Sequence, residues 1–216
     1  MDPQSTYDRI AEHFSQTREY AWPEVETFLA GRSVDLALDL GCGNGRHMEA
    51  LIPHSGTVLG LDVSRGLLRE ASARARERGY ADQVRMLHGD ASRLPIRTNA
   101  VDLAVYVATI HHLDTRALRI GSLDELARVL RPDGVALVSA WSTEHDRFDR
   151  ETSFDTTIDW TLPGGETVPR FYHIYSPREF EADLEESALD PVEARVSSGN
   201  CYAVVRPPAE NIGTDT

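Results

Sequence analysis

Apolar residues along the chain follow two alternating rhythms: short continuous runs, and a spacing of three to four. The runs at residues 34–40, 57–62, 84–88, 101–107 and 135–140 have the length and composition of buried strands. Between them the helical spacing takes over. Tyr7, Ile10, Ala11 and Phe14 predict a helix within residues 2–14, and Val25, Phe28 and Leu29 a second one that follows Pro23 and stops at Gly31. A third is expected at residues 47–52. Leu67, Leu68 and Ala71 predict a fourth from an N-cap at Ser64 to about residue 78, and Leu118, Leu123, Leu126, Val129 and Leu130 a fifth capped by Asp114 or Thr115. Arg131-Pro132-Asp133-Gly134 reads as a stop and turn before the fifth strand. Residues 141–176 lose the period, with Pro163, Gly164, Gly165 and Pro169, and a loop of that length is expected to be functional or disordered. Ser176-Pro177 opens a helix over 179–188. Residues 192–196 and 202–205 predict a closing hairpin that turns at Ser198-Gly199-Asn200.

Strand alternating with helix predicts an α/β, doubly wound sheet, parallel except for a last antiparallel strand. In such sheets ligands sit beyond the carboxyl ends of the strands. Residues 1–206 read as a single domain and 207–216 as a loose tail. There are no internal repeats.

Charge changes the picture more than size does. The 216 residues carry 35 acidic against 22 basic side chains, a net charge of −13. All the basic ones are arginine. An acidic surface without lysine resembles proteins of salt-loving organisms, where molar salt screens self-repulsion, so a halophilic archaeon is the expected source; GC-rich coding bias in an ordinary acidic protein is the alternative. No apolar run is long enough for a membrane helix and no leader pattern is present, so a cytoplasmic protein is expected. Cys42 and Cys201 are too few for a disulfide framework or a zinc site, and no metal is expected.

The chemistry gathers on Asp39-Leu40-Gly41-Cys42-Gly43-Asn44-Gly45, which follows the first strand and precedes a helix. Glycines at such a turn let a ligand lie against bare backbone and face free N–H groups. The G-x-G-x-G spacing is one residue shorter than the dinucleotide fingerprint. Asp62 ends the second strand, placed for ribose hydroxyls, and Asp90 ends the third, followed by Ala91. An NAD-binding domain explains Asp62 but gives no role to Asp90 and Ala91.

This constellation resembles the class I S-adenosylmethionine-dependent methyltransferases, whose sheet is seven-stranded. The resemblance implies that Asp62 holds ribose and that Asp90 with Ala91 brackets adenine. It gives S-adenosyl-L-methionine as cofactor and Tyr7, Asp39, Gly41, Gly43, Asp62, Val63, Asp90, Ala91 and Val107 as its site. Amide and exocyclic-amine methyltransferases carry an Asn/Asp-Pro-Pro-aromatic motif after strand four, where this chain has Tyr106-Val107-Ala108-Thr109. Neither cysteine is placed to serve as a carbon-5 nucleophile. Arg18, His111, His112, Arg170 and His173 instead suit an acceptor that is already an anion, such as a carboxylate.

Residues 7–18 with Trp22-Pro23, Ile110-His111-His112-Leu113-Asp114-Thr115, Trp141 and Arg170-Phe171-Tyr172-His173 are similar to the wobble-uridine tRNA carboxymethyl methyltransferases, over residues 7–205. The resemblance implies N-terminal helices over the cleft and an insertion between strands five and six, here residues 141–176. It implies esterification of the carboxylate of 5-carboxymethyluridine at the tRNA wobble position. Arg18, His111, Arg170, Tyr172 and His173 become catalytic candidates, and Trp141, Trp160 and His112 substrate contacts. The implied partners are tRNA and a small zinc-binding methyltransferase activator, expected on the edge of the third strand at Val84, Met86 and Leu87. The acidic balance counts against nucleic acid. A small-molecule O- or C-methyltransferase, or a non-catalytic methyltransferase-like subunit, is therefore the alternative.

Overall fold

The computed structural model describes residues 2–208. One sheet of seven strands forms the centre: β1 (Val34–Leu40), β2 (Ser55–Asp62), β3 (Val84–His88), β4 (Val101–Val107), β5 (Leu130–Trp141), β8 (Asp190–Ser197) and β9 (Asn200–Arg206). Their order is β3-β2-β1-β4-β5-β9-β8. The first five are parallel, and β9 runs antiparallel to both β5 and β8. The strand order reverses at β1, so the carboxyl ends of β1 and β4 open the crevice where doubly wound sheets bind ligands.

Two apolar layers sandwich the sheet. One packs β1 and β4 against α5 (Arg116–Val129) and α6 (Pro177–Glu186) through Leu38, Leu40, Ala104, Leu126 and Leu184. The other packs α2 (Pro23–Leu29), α3 (Arg46–Leu51) and α4 (Arg65–Glu77) onto the opposite face through Phe28, Met48, Leu68 and Val105. Ser64 caps α4 and Thr115 caps α5 as expected, by accepting from Leu67 N at 3.0 Å and Leu118 N at 3.3 Å.

Helix α1 (Pro3–Gln16) crosses the carboxyl ends of the strands and is locked to α4. Asp8 Oδ1 accepts from Ser64 Oγ and from Gly66 N, both at 2.7 Å. Gly66 permits the approach, since a Cβ there would stand 2.9 Å from that of Ala11.

Two sequence expectations change. Residues 131–134 do not end the helix as a free turn before β5. Val101 pairs with Leu130 but Leu103 with Val135, so these four residues bulge out of a strand that has already begun. The insertion 141–176 is not a structureless loop either. It holds an antiparallel hairpin, β6 (Phe154–Thr161) and β7 (Thr167–Ile174), turning at Gly164-Gly165. Its inward residues Ile158, Tyr172 and Ile174 form a small apolar cluster with Trp141, Phe148 and Phe154. Alternation was present in the sequence but was masked by threonines, Asp155, Asp159 and Pro169. Of the expected tail, residues 209–216 lie outside the described residues.

Candidate active site

A cleft with about 260 Å³ of free volume opens at the carboxyl ends of the strands, roofed by α1 and walled on one side by β7. Its floor is the glycine loop. Gly41, Gly43 and Gly45 all adopt positive φ, at 74°, 53° and 81°, which only glycine takes without strain. A Cβ on Gly41 would collide with the Thr109 side chain. The loop is fastened to β2, with Gly41 N and Cys42 N donating to the Leu61 carbonyl at 2.7 and 2.9 Å.

Asp62 is buried beside the loop. Its Oδ2 accepts from Gly43 N and its Oδ1 from Ser64 N, each at 2.8 Å, leaving a second lone pair on each oxygen for ligand hydroxyls. Burial raises its pKa against the pull of these two donors. Asp39 lies beneath the floor rather than in the lining. Both its oxygens are buried without a hydrogen-bond partner among the described residues, and burial, with the Asp62 charge adding to it, pushes its carboxyl up to about 8. Val63, Asp90, Ala91 and Val107 line the same end. Asp90 is exposed and steadied through Oδ1 by Ser92 N and Oγ at 2.8 Å. Glycine cradle, ribose-facing Asp62 and the partnerless Asp39 fit an adenosyl sulfonium cofactor without phosphate, which needs no anion cradle.

The other end is aromatic and basic. His112 Nδ1 meets the Phe171 carbonyl at 2.9 Å, so that nitrogen carries the proton and Nε2 accepts from Tyr7 Oη at 2.8 Å. Burial lowers the His112 pKa to about 4. His111 has the opposite tautomer: Trp141 N donates to its Nδ1 at 3.1 Å, leaving Nε2–H as donor. Burial, then His112, holds its pKa well below the ordinary value. Tyr172 stacks on Trp141, with ring centroids 5.0 Å apart, and abuts both histidines.

Arg170 is only 7% exposed. Its guanidinium lies over Trp160 at 4.9 Å and Tyr172 at 5.2 Å, and its Nε has no partner. Arg18 lies over Phe14 and the same Trp160, at 5.3 and 5.4 Å. Burial, with Arg170 next, lowers the Arg18 pKa. Among the described residues neither arginine makes an ion pair, and both line the cleft.

The cleft thus brings together Tyr7, Arg18, Gly41, Gly43, Asp62, Val63, Asp90, Ala91, Val107, His111, His112, Trp141, Arg170 and Tyr172. Trp160 sits behind the arginines, its Nε1 donating to His13 Nδ1 at 3.0 Å. His173 is not brought in. It follows Tyr172 on β7 and so faces the other way, held between Asp155 Oδ1 at 2.7 Å and Glu179 Oε1 at 3.2 Å. Its catalytic candidacy came from its hydrogen-bonding chemistry and from the motif Arg170-Phe171-Tyr172-His173, neither of which tells which side of the strand it faces.

Sequence reasoning missed Asn44, inside the loop it singled out, and Arg46, which opens α3 directly after it. Buried Asn44 donates through Nδ2 to the Arg18 carbonyl at 2.7 Å, tying the loop to the segment that presents Arg18. Arg46 lines the cleft over Trp22 at 5.2 Å, its pKa brought down to about 10 chiefly by burial. Cleft-lining Trp22 was visible in the motif Trp22-Pro23.

This topology, with glycine floor and acidic strand ends, defines a class I methyltransferase that uses S-adenosyl-L-methionine. Residues 38–138 match a family model described as a methyltransferase domain. A tRNA (carboxymethyluridine(34)-5-O)-methyltransferase of Schizosaccharomyces pombe is 32% identical over 222 residues, covering 92% of each chain. One from Arabidopsis thaliana is 34% identical over 83% of this chain. The chain belongs to this tRNA carboxymethyluridine methyltransferase family. It spans 45% of the Arabidopsis protein's length, 21% of a Mus musculus relative's and 58% of a Saccharomyces cerevisiae relative's. Among solved structures, a chain from the complex between the Haloferax volcanii Trm112 methyltransferase activator and a methyltransferase shares the fold, with a TM-score of 0.72 at 17% identity, covering 96% of this chain and 98% of that one. No helix among the described residues is long and apolar enough to cross a membrane.

Proposed function

We propose that the protein esterifies the carboxylate of 5-carboxymethyluridine at the wobble position of tRNA. One observation carries the reading: Arg170, buried and without an acidic partner, stands beside a similarly unpaired Arg18 in the acceptor half of the cleft. A buried cation is costly unless an anion completes it, and the planar guanidinium fork matches a carboxylate. The methyl group supplied by S-adenosylmethionine is already activated by its sulfonium, so a carboxylate acceptor needs no general base. The residues around it orient and desolvate. His111 and His112, held neutral by burial, supply hydrogen-bonding edges rather than charge, and Trp141 and Tyr172 supply a stacked wall for a base.

The family relationship supports tRNA as the carrier, and the activator complex of the structural neighbour supports a protein partner for this chain. β3 is at the sheet edge and pairs with β2 alone among the described strands, which leaves a strand face for a small zinc-binding activator by strand addition. The apolar content there is modest. Val84 is buried in the core, and only Met86 and Leu87 are partly exposed. Backbone pairing then carries more of the contact than an apolar patch.

The net charge of −13 favours a second reading, methylation of a small carboxylate metabolite. The test is methyl transfer, with and without the activator, to a tRNA carrying 5-carboxymethyluridine and to the same tRNA with unmodified uridine, followed by mass spectrometry of nucleosides. The methyl ester is expected only from the first. Absence of ester from the carboxymethylated tRNA in the presence of activator would overturn the assignment.

A further inference from the structure

Helix α4 and its C-cap residue Arg78 carry five arginines that divide into two groups. Arg74 and Arg78 turn toward the α1–α2 connector and are neutralised. Arg74 pairs with Glu49 at 2.8 Å, and Arg78 with Glu49 at 2.8 Å and with Glu19. Arg65, Arg69 and Arg76 are exposed and make no ion pair among the described residues; Arg76 donates only to Ser72 Oγ, at 2.8 Å. At about 100° per residue these three share an arc of roughly 40°, whereas Glu70 and Glu77 project more than about 80° away from it.

The stripe is therefore of one sign. It runs for about 16 Å along the helix, from one residue past the Ser64 N-cap. Its start adjoins the cleft, since Val63 and Leu67 are lining residues. Acids outnumber bases by 35 to 22, and surface arginines such as Arg116, Arg128 and Arg131 are taken up by carboxylates, whereas these three are not. A stripe left free of them is complementary to a polyanion. Its length equals about five nucleotides of stacked strand at 3.4 Å each.

We propose that Arg65, Arg69 and Arg76 form a track for the phosphate backbone of the acceptor RNA, leading the strand into the cleft past the amino end of α4. The inference rests on the tRNA reading of the active site. It gives an acidic protein a local cationic path, with affinity supplied by phosphate contacts and selection left to the cleft.

The test is the triple variant R65E/R69E/R76E, with the Arg→Gln triple as the milder control. Affinity for a tRNA anticodon stem-loop is measured across a fourfold rise in salt, alongside cofactor affinity and methylation of free 5-carboxymethyluridine nucleoside. Three phosphate contacts at a slope of 0.7–0.9 each mean that the wild-type affinity falls about 20- to 40-fold further than the variant's over that range. Cofactor affinity and nucleoside methylation are expected to stay unchanged. Equal salt slopes in wild type and variant, with tRNA still methylated, would overturn the track and leave the active-site reading standing. Loss of activator binding with RNA affinity intact would assign the stripe to the protein partner and equally overturn it. Wild-type enzyme that neither binds nor methylates tRNA would overturn the tRNA reading, and the track with it.

Discussion

Arg170→Met separates a clamp for the acceptor from a structural arginine, because the two roles predict opposite balances of stability and binding. In the free protein the side chain is 7% exposed with an unpaired Nε. Leaving such a donor unsatisfied costs about 1–3 kcal/mol. Against this stand its contacts over Trp160 and Tyr172, each worth about 0.5–2 kcal/mol. The two contributions nearly cancel, so Arg170→Met should unfold within about 2 kcal/mol of wild type, or about 8 °C in Tm for a chain of this length. The charge-assisted bonds to an acceptor carboxylate have no such offset. Losing them costs about 1.5–3 kcal/mol, a factor of about 10–150 in kcat/KM. The carboxylate gives up charge as the ester bond forms, so the arginine holds the ground state at least as well as the transition state. The loss should therefore fall mainly on KM. Steady-state kinetics with the carboxymethylated tRNA, calorimetry with the cofactor and thermal unfolding measure the three quantities. A fall in stability of more than about 4 kcal/mol with an unchanged KM would show that Arg170 merely packs β7 onto Trp160.

Asp62→Ala should weaken S-adenosylmethionine about tenfold or more by removing acceptors for ribose hydroxyls, read by calorimetry; unchanged affinity in a folded variant contradicts the assignment. Asn44→Ala frees the Arg18 carbonyl from the glycine loop and should raise the acceptor KM several-fold more than it changes cofactor affinity, with Asn44→Gln partly restoring it. For pH, His47 and His112 have pKa values lowered to about 3 and about 4, and that of His111 is also lowered, so the unfolded chain binds more protons below about pH 6.5. Each histidine then removes about 1.4 kcal/mol of stability per pH unit as pH falls from there toward 4, while Asp39, with its carboxyl raised to about 8, offsets one of them and destabilises the fold as pH rises toward 8. Urea midpoints should accordingly peak near pH 6.5, and a flat profile would refute these shifts.

The sheet was legible because its strands are buried on both faces. Continuous runs such as residues 101–107 admit few other readings. The glycine loop was legible because its chemistry is local in sequence, and Asp62 and Asp90 because strand ends fix where a side chain stands. The hairpin β6–β7 was not. One of its faces is exposed and polar, and Trp141 and Phe148, on which its other face packs, lie outside the hairpin strands. His173 illustrates the same limit at one residue, since adjacent positions on a strand point to opposite sides and only the strand's placement tells which side is the cleft. Asn44 acts across 26 positions, a coupling that no local pattern carries.

Each half of the cleft holds a buried group left unsatisfied: a carboxyl that burial keeps mostly protonated near neutral pH, and a guanidinium that stays charged. Beneath the cofactor half lies Asp39, with no hydrogen-bond partner among the described residues; in the acceptor half lies Arg170 with an unpaired Nε and no acid beside it. Each raises the free energy of the empty protein, and a ligand that relieves the cleft-lining Arg170 binds the folded chain alone and so raises its stability. The arrangement also discriminates by charge. A carboxylate acceptor relieves Arg170, whereas an amide or an unmodified uridine leaves the guanidinium buried and unanswered, a penalty the acceptor must overcome before any contact to its base counts. After esterification the acceptor no longer carries the charge that held it. The bound product then meets the same penalty as a neutral competitor, so the arginines that select the carboxylate also weaken the hold on the ester. If that holds, the methyl ester should inhibit far more weakly than the free carboxymethyl nucleoside, and Arg170→Met should erase the difference between the two.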